Sequence, residues 1–136
     1  MSTISIKIAG IILLTVPSIA YGGYFLLTVL SGKREKMALT DFQKSMFRAG
    51  HAHAGVLVIL SLITTLLGDY LAWPPVLKWA TITAFPLAAI LVSGGFFAAA
   101  IGPGRTRPGK GIRILFAGAA VLVFGLLSLG LGLLFT

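Results

Sequence analysis

Four long apolar runs, separated by short stretches rich in charge, glycine or proline, set the pattern of this chain. They cover about residues 8–30, 49–68, 76–101 and 112–135. Each is close to the ~20 residues an α-helix needs to cross a ~30 Å hydrocarbon layer. The pattern therefore predicts an all-α integral membrane protein: a single domain over 1–136 forming a compact four-transmembrane-helix bundle. A cleavable leader is the rival reading of the first run. That run is longer than a 7–15-residue leader core, and Lys7 is followed by apolar sequence without a convincing cleavage motif, which favours a retained helix.

Local signals sharpen the boundaries. Thr40 with Gln43 three residues later has the form of a capping box, and Asp41 in the next position suits the positive end of a helix dipole. The second helix is thus predicted to begin at Asp41 in the headgroup region and to enter the hydrocarbon near Ala49. Asp69–Pro75 reads as a tight turn, with Tyr70, Trp73 and Trp79 as interfacial aromatics. Pro17 and Pro86 fall inside the first and third runs, where each removes an amide donor and predicts a kink. Tyr21-Gly22-Gly23-Tyr24 follows the first kink, either as a close helix contact or as a notch facing a ligand. Ser93, Gly94, Gly95, Ala98 and Ala99 form a second small-residue stretch.

Charge sets the orientation. Lys33, Arg34, Lys36, Lys44, Arg48, Arg105, Arg107, Lys110 and Arg113 flank or occupy two loops on one side, against Lys7 and Lys78 on the other. The positive-inside rule then predicts both termini outside and both basic loops cytoplasmic. Lys33, Arg34, Lys36, Arg105, Arg107 and Lys110 are the expected contacts for anionic lipid. A prokaryotic plasma membrane is the expected location.

Composition agrees with the pattern. The chain is 57% hydrophobic and 10% charged, with mean hydropathy +1.02, where soluble domains carry about 25% charged residues. The net charge of +8 is accounted for by the loop cations, so nucleic acid is not an expected partner. Cysteine is absent, which excludes disulfides, thiolate metal sites and cysteine nucleophiles. GPGRTRPGKG at 102–111 lacks the GxxxxGK[ST] spacing of a phosphate-binding loop, and no strand precedes it.

Candidate chemistry concentrates where the second run begins, in RAGHAHAG. His51 and His53, two apart on a helix, diverge by ~200° and cannot chelate one metal from a regular helix. His53 shares a face with Leu57, Leu60, Ser61 and Thr64, an intermittently polar stripe expected to line the bundle interior. The His51 face is expected to meet another subunit or lipid headgroups. Arg48 lies at the same level, and Asp41 about three turns away, beyond direct reach of either imidazole in a straight helix.

Three readings follow. The first is an oligomeric path for ions, protons or a small solute along His53, Ser61 and Thr64, with a histidine-containing cytoplasmic end. The second is a redox subunit in which His51 or His53 of adjoining copies holds haem or a metal. The third is a structural or accessory subunit of a membrane complex, whose basic loops and glycine-rich surfaces hold a partner. Glu35, Asp41 and Asp69 form no evident acid–base pair, and Ser45 sits in no nucleophile elbow, so catalysis is not expected.

Overall fold

A computed structural model describes residues 1–33 and 38–135. It has four helices long and apolar enough to cross a membrane: α1 (Thr3–Leu30), α2 (Asp41–Leu67), α3 (Pro75–Ala100) and α4 (Ile112–Leu134). A single 3-10 turn, Gly68–Tyr70, closes α2. The chain is a membrane-type all-α four-helix bundle.

The helix starts follow from their caps. Ser2 accepts a hydrogen bond from the Ser5 amide, so α1 begins several residues before the apolar run at 8. At α2 both halves of the expected capping box are formed: the Gln43 amide donates to Thr40 Oγ1 and the Thr40 amide to Gln43 Oε1. Pro75 occupies the first turn of α3, where its missing N–H costs nothing. Both internal prolines are accommodated within continuous helices.

α3 is the central helix. It packs on α2 along one side and α4 along the other, while α1 lies mainly against α2. One apolar cluster joins Leu57, Ala89 and Val92, and a second joins Leu71, Phe85 and Leu129. Lipid chains are as apolar as leucine, so helices in a bilayer gain little from burying apolar area and depend on close packing instead. Glycine supplies it. Gly111, Gly118, Gly125 and Gly132 recur every seven residues. A Cβ on Gly111 would meet the Ala98 backbone, one on Gly118 Leu91 and Val92, and one on Gly125 Ala84 and Phe85. On α2 the buried positions Gln43, Gly50, Leu57 and Thr64 repeat with the same period. A seven-residue repeat keeps one seam facing its neighbour when helices cross at a shallow left-handed angle.

The helices alternate in direction, so the basic loops share one end and the Gly68–Tyr70 turn lies at the other. Ser2 and Ser5 at the start of α1 touch Asp69, and Gly132 near the end of α4 lies against Leu71 and Trp73. The two ends of the described chain therefore sit together at the turn end.

Candidate functional site

The two histidines leave α2 in different directions. His51 is half-buried against α1, facing the notch predicted at the tyrosine-flanked glycines. A Cβ on Gly23 would stand 3.0 Å from His51 Nε2 and 3.1 Å from Cε1, and one on Gly22 would stand 3.7 Å from Nδ1. The notch is a close helix contact filled by an imidazole.

His53 is exposed, and its position departs from the expected interior stripe. The buried seam of α2 runs through Gly50, Leu57, Ser61 and Thr64, with His53 at its margin beside Phe96 of α3. The two rings lie with centroids 4.9 Å apart. His53 Nδ1 is 2.8 Å from the Ala49 carbonyl oxygen. A carbonyl only accepts, so Nδ1 carries the proton, and in the neutral ring Nε2 keeps the lone pair.

Ser61 and Thr64 are buried, and their hydroxyls are committed locally. Ser61 donates to the Leu57 carbonyl at 2.6 Å, Thr64 to the Leu60 carbonyl at 2.9 Å, and Thr65 to the Ser61 carbonyl at 2.7 Å. These bonds satisfy the hydroxyl protons within the helix. Arg48 is exposed. Asp41 is exposed as well, and pairs with Lys44 at 3.3 Å, a surface contact that contributes little. Among the described residues, no group of three or more His, Cys, Asp or Glu is placed to hold a metal ion.

The basic end is more constructed than its composition suggests. Gln43 is 3% exposed, and its Nε2 donates to the Ala100 carbonyl at 2.9 Å and the Gly102 carbonyl at 2.8 Å. The Thr40 hydroxyl donates to the Arg105 carbonyl. One capping box thus starts α2 and also fastens the α3–α4 loop. Gly102 turns that loop with φ 120°, a conformation side chains avoid. The half-buried Arg105 side chain folds back over Gly102 and Gly109, and its Nε donates to the Ile101 carbonyl. Arg107, Lys110 and Lys33 are exposed; Arg34 and Lys36 lie outside the described residues.

At the opposite end, Asp69 has a role its place in a polar turn did not announce. Its Oδ1 accepts from the Ser5 hydroxyl at 2.7 Å and its Oδ2 from the Ser2 amide at 2.8 Å. Lys78 Nζ donates to the Asp69 backbone carbonyl at 3.1 Å and lies 4.0 Å from Oδ1. The start of α1 is bonded through Asp69 to the turn between α2 and α3. Compared with known protein families, curated proteins and solved structures, the chain has no significant match.

The notch makes a coupling prediction. Gly23→Ala should push the imidazole aside by a few tenths of an ångström and lower stability by about 1 kcal/mol or less, below the usual range for overpacking because the half-buried ring can give. His51→Ala in the same chain should recover most of that loss. Unfolding midpoints of both single variants and the double variant in one detergent check it. Additive losses would show that the ring and the notch are independent.

Proposed function

We propose that the protein is a structural or accessory subunit of a membrane complex, acting through contact of its bundle with another membrane chain, in a prokaryotic plasma membrane. The observation that carries the reading is the commitment of the α2 polar groups. Gln43, Ser61, Thr64 and Thr65 are all buried, and all are bonded to backbone carbonyls of their own chain. Side chains used this way hold the bundle together and leave the path reading without free donors on its expected stripe. The outward side of α2 is apolar and thin at one point. Nothing lies within 4 Å of a Cβ on Gly55, and Val56 and Ile59 beside it are exposed. Bare helix backbone of this kind suits close approach by another helix.

A photo-crosslinking residue at position 55, activated in intact membranes, tests the reading. The expected result is one discrete protein adduct, with none from the same residue at Leu14, which is 82% exposed on α1. Adducts at neither position, or equal smears at both, would contradict it.

His53 supports a second reading. Its exposed ring is oriented by the Ala49 carbonyl with Nε2 left unprotonated in the neutral form, the arrangement a histidine ligand needs. One such nitrogen per subunit could be matched by a second copy across a two-fold axis around haem or a metal. This reading expects a visible band or bound metal in gently extracted protein, lost in His53→Ala and kept in His51→Ala. Colourless, metal-free protein would remove it.

A further inference from the structure

The α3–α4 loop borders an open cleft of ≈ 630 Å³, whose lining includes Ile101, Arg105, Gly109 and Lys110. The loop is fixed in place. Gln43 and Thr40 hold it from α2, and the Gly109 amide donates to the Ala99 carbonyl at 2.8 Å. Its cations face no opposite charge among the described residues. Of the two acids there, Asp41 pairs with Lys44, and Asp69 is bonded to Ser2 and Ser5 at the other end of the bundle.

Arg105 is the constructed part. Its guanidinium rests on glycine: a Cβ on Gly109 would stand 2.9 Å from Nη1 and 3.0 Å from Cζ, and one on Gly102 would stand 3.1 Å from Nε. Nε is spent on the Ile101 carbonyl. Nη1 and Nη2 make no hydrogen bond or ion pair with any described residue. A guanidinium keeps its charge at every physiological pH, and its flat fork matches the oxygens of a phosphate. Arg107, two residues on, is exposed and has no glycine seat.

The position of the loop narrows the occupant. α3 and α4 are both long enough to cross a membrane, so the loop that joins them lies at one end of both spans. Exposed Ile101 lines the cleft, and Ile114 in the first turn of α4 is exposed as well. A soluble anion would use the cations alone. A phospholipid uses both, with its phosphate on the cations and its chains against the apolar surface.

We propose that this cleft binds the headgroup of an anionic phospholipid, its phosphate oxygens accepting from Nη1 and Nη2 of Arg105 and its charge balanced further by Lys110. The site is one seated arginine, as distinct from the general attraction of a basic surface for anionic lipid.

The full chain, in a neutral detergent and stripped of lipid, is titrated with dioleoylphosphatidylglycerol or dioleoylphosphatidylcholine, and bound lipid is counted by native mass spectrometry. The two lipids share phosphate and chains and differ in net charge. Phosphatidylglycerol is expected to bind about tenfold more tightly, the worth of a charge-assisted hydrogen bond. Gly109→Ala adds a methyl where the guanidinium rests and leaves every charge in place. Its clash is with the end of a flexible side chain, so the unfolding midpoint should hold while the preference falls about threefold or more. Arg105→Gln should remove the preference, and Arg107→Gln, with the same loss of charge, should keep it. Should Arg105→Gln not fold, Lys110→Gln at an exposed position should weaken the preference where Arg107→Gln does not. A preference untouched by Gly109→Ala, or lowered equally by the Arg105 and Arg107 variants, would show diffuse attraction and overturn the proposal. So would equal binding of the two lipids. Release of the lipid by sodium phosphate, but not by sodium chloride of the same ionic strength, would give the site to a soluble anion and also overturn it.

Discussion

Gly95→Ala is expected to be the most damaging single methyl group that can be added to this protein, and Gly94→Ala, one residue away, to be close to silent. A Cβ at Gly95 would stand 2.6 Å from Leu115 Cα and 2.7 Å from Leu115 Cβ, in contact with α4 backbone as well as side chain. Backbone cannot rotate aside, so α3 and α4 must separate along the seam that also carries Gly111, Gly118 and Gly125. Overpacking typically costs about 1–3 kcal/mol and occasionally more, and a clash with backbone belongs at or above the top of that range. Nothing lies within 4 Å of a Cβ on Gly94. An outward substitution of that kind stays within about 0.5 kcal/mol. Unfolding midpoints of the two variants, side by side in the same detergent, check the pair. Similar losses would mean that α3 presents a different face to α4.

Asp69→Ala should release the start of α1. The carboxylate satisfies two donors of α1, the Ser5 hydroxyl and the Ser2 amide, and Ser5 is fully buried. Removing it takes the charged acceptor from both donors and leaves the Ser5 hydroxyl only the Ser2 hydroxyl at 2.8 Å, a loss of about 1.5–3 kcal/mol, the worth of a hydrogen bond to a charged group. It also deprives Lys78 of its nearby carboxylate. Asp69→Asn separates the contributions. Its carbonyl oxygen can still accept from Ser5, but its NH₂ would face the Ser2 amide, donor against donor, so it should recover only part of the loss. Ser5→Ala removes the hydroxyl that needs a partner and should cost less than Asp69→Ala. Hydrogen exchange of the first two turns of α1 is the readout, because the damage should appear there before α2–α4 loosen. Unchanged protection in Asp69→Ala would show that lipid, and not this clamp, holds α1 in place.

Much of the architecture was legible in the sequence because its cause is local. Run length gave the four helices, and Thr40 with Gln43 gave the start of α2. The seven-residue glycine repeat of α4 was also there to be read, and period alone identifies it as a packing seam. Two roles depend on which loop meets which helix end, and spacing does not encode that. Gln43 fits its capping pattern, yet its second task is to hold the carbonyls of Ala100 and Gly102, 57 and 59 residues away. Asp69 has the look of an ordinary turn residue, while its partners Ser2 and Ser5 lie 67 and 64 residues off.

The histidines show where periodicity alone falls short. His53 shares a helical face with Ser61 and Thr64, but a face is broad. Phe96 and the bundle margin decide that Ser61 is buried and His53 is not. Helical period alone points the His51 face at another subunit or at lipid headgroups. The missing Cβ atoms of Gly22 and Gly23 instead make room for the ring within its own chain.

The central claim is that this bundle works by holding another membrane chain. Its most direct test is the mass of the particle that carries it, taken from native membranes in copolymer discs without detergent and read by native mass spectrometry. The account predicts an assembly heavier than the 14.2 kDa of one chain by at least one further polypeptide, and predicts that bulk at Gly55 breaks it. A particle containing a single 14.2 kDa chain with lipid alone would contradict it.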